Sequence, residues 1–534
     1  MRKYFRTLLA ILMAGLMSVA MTACGEIAAD KEKDKGDPAP EKESNITFTV
    51  SPETVVLGKW ETVDLNVLLT VDGNPINITK IEFSSNDRNI ARVNSDGKIT
   101  GVSYGTTKIV ARYENETREV TVTVEPEKVA KLTEENIDML LGTEKQLTAH
   151  VYSGGEIVAS AKVEWSSSDN SVATVSEGLV KAVGKGKAKI FVKYGDSTDT
   201  AIVNVVEETN ADNVNSFNEE YINIFGRHYK SGNRLKLHHA ANAIEVGIIG
   251  TSLGVNVGTT GTSYMRVWVD GVENEDRIKV VGTENNRYVV ADGLEYGYHR
   301  VRIVKATEMQ NAVWTVSSFT ADKFATVPEK SDMKIEFIGD SITAGYGSLG
   351  PQGAAWSVDN SDSTRSYAYL TAHKLNADYS VVAWSGICVK ANVWVSDKNM
   401  LTLYPKLADG QGAYAFDFRP DVVVLNLGTN DATNLKSDFA GPGYGEQFPA
   451  DYKTMLTLIR EKNPDAHIVC LYGMMGTDSV IDGGIKTAIK ELNDPDIVYN
   501  PIAIVKNADG ANGHPGATAQ NSWATALANY ISKL

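Results

Sequence analysis

Ile335-Glu336-Phe337-Ile338-Gly339-Asp340-Ser341-Ile342-Thr343-Ala344-Gly345-Tyr346-Gly347 reads as a mostly apolar strand that ends in a tight turn and presents a serine. A serine hydroxyl is a weak nucleophile unless a base lies within hydrogen-bond reach and donors await the developing oxyanion. Downstream the chain offers such parts in order. Trp384-Ser385-Gly386 places a glycine after an apolar run, Gly428-Thr429-Asn430-Asp431 follows the run 422–427, and His514-Pro515 sits in a late loop. Strands predicted at 335–338, 379–384, 421–427 and 467–472 alternate with helical patterns at 365–375 and 451–462. Trp523, Leu527, Tyr530, Ile531 and Leu534 then fall on one face of a closing helix. Such alternation predicts a parallel sheet with helices on both faces. Ser341, Gly386 and Asn430 would then stand at the carboxyl ends of strands, where such sheets carry their functional groups.

These blocks resemble the SGNH (GDSL-type) hydrolase superfamily over 331–534. The resemblance implies Ser341 as nucleophile and His514 as base and later acid. It implies an oxyanion hole built from the backbone N–H groups of Ser341 and Gly386 and the side-chain amide of Asn430. Plainer readings stand beside these: Gly386 as a turn glycine, Asn430 as a cap for a helix starting near Asp431, and His514 as a surface histidine. Where the superfamily commonly carries the triad aspartate, this chain has Ala511. Asp509 reaches the imidazole only if the loop folds back; otherwise a backbone carbonyl orients the ring, and the site is a Ser–His dyad, the reading favoured here. Asp340 and Asp431 suit turn and cap hydrogen bonds better than proton transfer.

Residues 210–327 are strand-rich, with runs at 243–255, 265–271 and 298–305, and seven or eight short strands fit a jelly-roll-like sandwich. Joined directly to the hydrolase, this segment resembles the N-terminal domain of carbohydrate esterase family 2. That resemblance implies removal of acetyl groups from plant polysaccharides such as xylan and glucomannan, and it is a family with dyad members. Trp356, Trp384 and Trp394 flank the site blocks and are candidates for stacking on sugar faces, with a core role as the alternative.

Further upstream the chain repeats itself. Phe83-Ser84-Ser85-Asn86-Asp87 and Ile90-Ala91-Arg92-Val93 recur as Trp165-Ser166-Ser167-Ser168-Asp169 and Val172-Ala173-Thr174-Val175. A period of about 80 residues is that of a domain rather than a solenoid unit. Alternation such as Val120-Thr121-Val122-Thr123-Val124 indicates β-sandwiches. Both copies resemble bacterial Ig-like domains of group 2, at 46–126 and 127–207, serving as a stalk or binding glycan. The fold class expected is therefore multidomain: two Ig-like β-sandwiches, one jelly-roll-like β-sandwich and a C-terminal α/β hydrolase with a parallel sheet.

Arg2, Lys3 and Arg6 precede an apolar stretch at 7–21, and Met21-Thr22-Ala23 leads into Cys24. This resembles a lipoprotein signal (1–24) in which Cys24 is lipidated, which implies anchoring to a bacterial membrane and exposure at the cell surface. A polar spacer, 25–45, follows. The net charge of -15 argues against nucleic acid as a partner. Apart from Cys24, only Cys388 and Cys470 are present, as buried thiols or one disulfide. No Cys/His spacing suggests a metal, and the implied chemistry needs no cofactor. The sequence thus points to a carbohydrate O-deacetylase acting on acetylated polysaccharide or oligosaccharide. A general esterase or thioesterase is the alternative within enzymes, and a glycan-binding adhesin with an inactive hydrolase domain is the alternative outside them.

Overall fold

The computed structural model describes residues 46–75, 80–124, 130–153, 156–158, 161–195, 197–390, 395, 398–436 and 441–534. The expected signal and Cys24, the spacer 25–45 and Trp394 lie outside the described residues. The chain divides into two compact units after Pro126.

The sequence repeat is a repeat of topology. In the first unit Thr54–Leu57 runs parallel to Glu116–Val124, which pairs antiparallel with Gly105–Tyr113 and through it with Glu82–Ser85. At the head of the second unit, Asn136–Leu140, Ser197–Val206, Gly186–Tyr194 and Glu164–Ser167 pair in the same order and sense. The alternating valines do what period two requires: Val120, Val122 and Val124 are fully buried while the threonines between them are half-buried.

The segment after the second Ig-like domain forms a sandwich of one eight-stranded and one five-stranded sheet, with antiparallel pairing throughout. That is more strands than the seven or eight expected. The additional ones, such as Glu208–Thr209, Asn223–Phe225 and Val272–Glu273, are too short to carry a periodic signal. The second Ig-like domain docks on this sandwich: Glu207 and Thr326 exchange hydrogen bonds, and Arg300 Nε lies 3.2 Å from Asp138 Oδ2.

The hydrolase sheet is parallel in the order Asp378–Ala383, Lys334–Gly339, Val422–Asn426, His467–Leu471, Ile497–Tyr499. Ile335 and Phe337 pack on one face against Tyr367 and Trp523, while Ile338 faces Phe448 and Tyr452 on the other. The expected helices are present with shifted ends. Ser366 caps Tyr367–Lys374 by accepting from Tyr369 N–H, which delays its start. Tyr444–Lys462 begins well before the expected position, continuing through Pro449 near its N-terminal end. The helix Ser479–Leu492 follows the fourth strand, and its Gly484 is where Phe448 packs closely.

The sandwich and the hydrolase share a core. Phe225, Ala243 and Trp268 of the former join Ile335, Tyr369 and Tyr379 of the latter in one buried cluster. Arg227, fully buried, donates to the carbonyls of Tyr404 (2.6 Å) and Lys406 (2.8 Å) and to Glu336 Oε1 (3.1 Å) on a central strand. Its guanidinium lies against the rings of Tyr404, Tyr414 and Phe416. Arg266 of the sandwich likewise meets buried Asp362 at 2.9 Å.

Candidate active site

Strand Lys334–Gly339 delivers the chain to a one-turn helix, Ser341–Ala344. Asp340 caps it, Oδ1 accepting from Ile342 N–H at 3.0 Å, and Gly345 closes it with φ +78°. From the closing helix Ala517–Ile531, buried Gln520 donates to Ile342 O (3.1 Å) and accepts from Tyr367 N–H (2.8 Å), fixing the Ser341 turn from below.

His514 Nε2 lies 2.9 Å from Ser341 Oγ, and its Nδ1 lies 3.1 Å from the carbonyl of Asn512. Nδ1–H donating to that carbonyl leaves Nε2 as the acceptor for the serine proton, the tautomer a general base requires. Burial holds the imidazole below its ordinary pKa, with the Asn512 carbonyl pulling the other way. At neutral pH the ring is therefore uncharged and able to accept a proton. Asn512 adopts φ +52°, a left-handed conformation that asparagine tolerates better than most residues. With that turn, His514 N–H donates to Ala511 O, and the Asn512 carbonyl comes under the ring.

Asp509 is not beside the imidazole. Its Oδ1 accepts from Gly516 N–H at 2.9 Å, ahead of the closing helix, and this hydrogen bond leads the causes that lower its pKa. Ala511 is fully buried, with Gly347 and Gly350 packed against it and its N–H donating to Gly347 O at 2.9 Å. Its methyl group offers the imidazole no hydrogen-bond partner.

The donors converge on the same strand ends. Ser341 N–H, first in its helix, and Gly386 N–H have no protein acceptor among the described residues. Gly386 is the second central residue of a turn closed by Ile387 N–H to Trp384 O (3.2 Å), and its φ of +84° is that of a type II turn, which calls for glycine. Asn430 sits inside the first turn of Thr429–Lys436 rather than capping it. Its Nδ2 donates to Ile387 O at 3.0 Å and lies 3.4 Å from Asp340 Oδ2, a long contact for which a substrate oxygen can compete. Burial pushes Asp340 up to about 7 and Asp431 up to about 6. Asp431 is not a cap either: it accepts from Val389 N–H and the Tyr444 hydroxyl.

Trp356 stacks on Tyr346 (centroids 5.4 Å apart), which also lies 4.3 Å from the His514 ring, so an aromatic wall flanks the imidazole. Trp384 is half-buried against the hydrolase core, with Lys398 Nζ over its ring. Cys388 and Cys470 are unpaired buried thiols. Three residues around the site escape sequence reading. Tyr346 lies within the first motif but carries no chemical signature there. Asn512 acts through its backbone, and Glu308, of the sandwich, touches Ser385 from a distant stretch of chain.

Residues 337–529 match the GDSL-like Lipase/Acylhydrolase family, 224–329 match the Carbohydrate esterase 2 N-terminal family, and 46–124 and 121–205 match the Bacterial Ig-like domain (group 2). The chain is 31% identical over 254 residues to Cellulase/esterase CelE of Acetivibrio thermocellus, covering 46% of this chain and 30% of that protein. It is 33% identical over 171 residues to an Acetylxylan esterase / glucomannan deacetylase of Cellvibrio japonicus, covering 30% of this chain and 47% of that one. It thus spans less than half the length of either relative. Among solved structures it resembles a family two carbohydrate esterase from Clostridium thermocellum in complex with cellohexaose, with 28% identity, TM-score 0.54, and coverage of 58% of this chain and 98% of that one. An acetyl xylan esterase from the rumen bacterium Butyrivibrio proteoclasticus gives 25% identity, TM-score 0.54, and coverage of 61% and 98%.

Proposed function

We propose that this chain, which carries a carbohydrate esterase 2 N-terminal domain joined to a GDSL-like hydrolase domain behind two bacterial Ig-like domains, removes acetyl groups from polysaccharide. The observation that carries the reading is the Ser341 Oγ–His514 Nε2 contact of 2.9 Å beside two unspent backbone N–H groups. Ser341 Oγ attacks the acetyl carbonyl as His514 Nε2 takes its proton. The oxyanion is met by the N–H groups of Ser341 and Gly386, with Asn430 Nδ2 turning to it. The tetrahedral species collapses to an acetyl-serine as His514 gives the proton to the departing sugar oxygen. Water, deprotonated by the same nitrogen, then attacks the acetyl-serine carbonyl, and Ser341 Oγ leaves with that proton returned from His514 as acetate is released. Two relatives whose names include acetylxylan esterase support the substrate class. The aromatic pair Tyr346–Trp356 beside the base suits a sugar ring, the role we assign to Trp356. An adhesin with a dead hydrolase needs a lost nucleophile or base, and here both side chains are present and in contact.

We also propose that Cys24 carries a lipid that anchors the protein at a bacterial cell surface. The support is the basic start, the apolar stretch 7–21 and the small residues before Cys24. No helix among the described residues is long and apolar enough to cross a membrane.

The deciding experiment measures acetate released by the full chain from acetylated xylan, acetylated glucomannan and a small aryl acetate, with Ser341→Ala alongside. Wild type should release acetate and the variant should not, with its melting temperature unchanged. Activity of Ser341→Ala within about tenfold of wild type removes Ser341 from the mechanism, since losing an activated nucleophile costs orders of magnitude more.

A further inference from the structure

One buried carboxylate near the site belongs to the other domain. Glu308 lies in the segment of the sandwich that follows the strand Gly297–Lys305 and is 4% exposed. Its Oε2 accepts both from Ser385 Oγ–H at 2.6 Å and from Ser385 N–H at 3.2 Å. Asn311 Nδ2 donates to its other oxygen at 3.2 Å. Lys305, also fully buried, donates to the carbonyls of His238, His239 and Thr307 and so stiffens the same segment.

Ser385 is the first central residue of the 384–387 turn, and Gly386 is the second. Type I and type II turns differ chiefly by a flip of the peptide between those two residues. That peptide carries the Gly386 N–H. Whichever way it faces decides whether the N–H can meet an oxyanion.

We infer that Glu308 is a positioning residue for this peptide: by gripping Ser385 through two hydrogen bonds, it holds Gly386 N–H on the face where the acyl oxyanion forms. The inference rests on the esterase reading above and adds to it a contribution of the sandwich domain to the reaction. The geometry makes it specific. Glu308 touches neither Ser341 nor His514, so it acts through the turn. Two bonds to one carboxylate oxygen also fix both the N–H and the side chain of Ser385, anchoring the corner of the turn from which the 385–386 peptide projects.

The test uses the full chain and an aryl acetate, measuring kcat and KM for wild type, Glu308→Ala, Glu308→Gln, Ser385→Ala and the Glu308→Ala/Ser385→Ala double variant. Removing one oxyanion donor costs about 10²–10³ in kcat, and loosening one costs less. Glu308→Ala should therefore lower kcat by about 10- to 100-fold with KM within about threefold, the split expected of an interaction made in the transition state. Glu308→Gln, whose amide oxygen still accepts from Ser385, should recover most of that loss. Glu308→Ala removes both hydrogen bonds and Ser385→Ala the hydroxyl one alone, so the double variant should be no worse than Glu308→Ala. If Glu308→Ala melts early, Ser385→Ala carries the test, because it removes only a hydroxyl from a half-buried turn. The inference is overturned if both single variants keep wild-type kcat, if only KM rises, or if their losses multiply in the double variant. A wild type silent on every ester overturns the esterase reading itself, whereas an active wild type matched by its Glu308 variants overturns this inference alone.

Discussion

Replacing Asp509 by alanine separates a triad from a dyad, and the structure sets the size of the effect. In a serine protease triad the loss of the orienting aspartate costs about 10⁴ in turnover, or about 5.5 kcal/mol of transition-state stabilisation. Here the carboxylate of Asp509 is bonded to Gly516 N–H, and the imidazole is oriented by the Asn512 carbonyl. Neither partner of the Asn512–His514 contact is altered in Asp509→Ala. What is lost is one hydrogen bond in the loop ahead of the closing helix, about 1 kcal/mol of stability. Through that loop the His514 ring loosens somewhat, and a misplacement of this kind costs up to about 10²-fold. Turnover on an aryl acetate should accordingly fall less than about a hundredfold. His514→Ala, which removes the base itself, should abolish it. The assay is steady-state acetate release with a melting curve on each variant. A collapse of Asp509→Ala to the level of His514→Ala, at unchanged melting temperature, would refute the dyad.

Two further outcomes follow from other features. Burial lowers the His514 pKa, and the base works only when neutral, so kcat/KM should reach half of its plateau below about 6.5, the ordinary imidazole value. A half-maximal point above 6.5 contradicts this. Cys24→Ala should move the protein from the membrane to the soluble fraction of cells; a variant that still sediments with membranes and resists salt washing argues against lipid anchoring at that residue.

What the sequence discloses is what its local patterns determine. Strand ends expected at 338, 384 and 427, where apolar runs meet turn residues, fall within one residue of the observed ends at Gly339, Ala383 and Asn426. The glycine of the 384–387 turn is legible because only a positive φ serves there. The Ig-like repeat is legible because each copy keeps its alternation. What stays hidden depends on the chain returning to itself. The partner of His514 is settled by the left-handed turn at Asn512 and by Ala511 filling the space beside Gly347 and Gly350, neither of which is visible in residue spacing. Asn430 resembles a cap because asparagine favours that position, yet its amide reaches the carbonyl of a neighbouring turn. The tie between Glu308 and Ser385 joins stretches 77 residues apart that no periodicity connects.

The buried Arg227–Glu336 pair decides which part of this chain can be inherited as a unit. Glu336 stands on a central strand of the hydrolase with Arg227, Ser380 and Tyr404 as its partners, and the arginine comes from the sandwich. Severing the chain near residue 330 would strand a carboxylate inside the sheet without its cation, a defect of about 3–5 kcal/mol in domains whose whole stability is about 5–15 kcal/mol. No comparable buried ion pair joins the second Ig-like domain to the sandwich among the described residues, where the Asp138–Arg300 contact is partly open to solvent. The first Ig-like module, a compact unit of its own, can thus be exchanged or deleted at little energetic penalty, whereas the sandwich and hydrolase must travel through evolution as a single cassette.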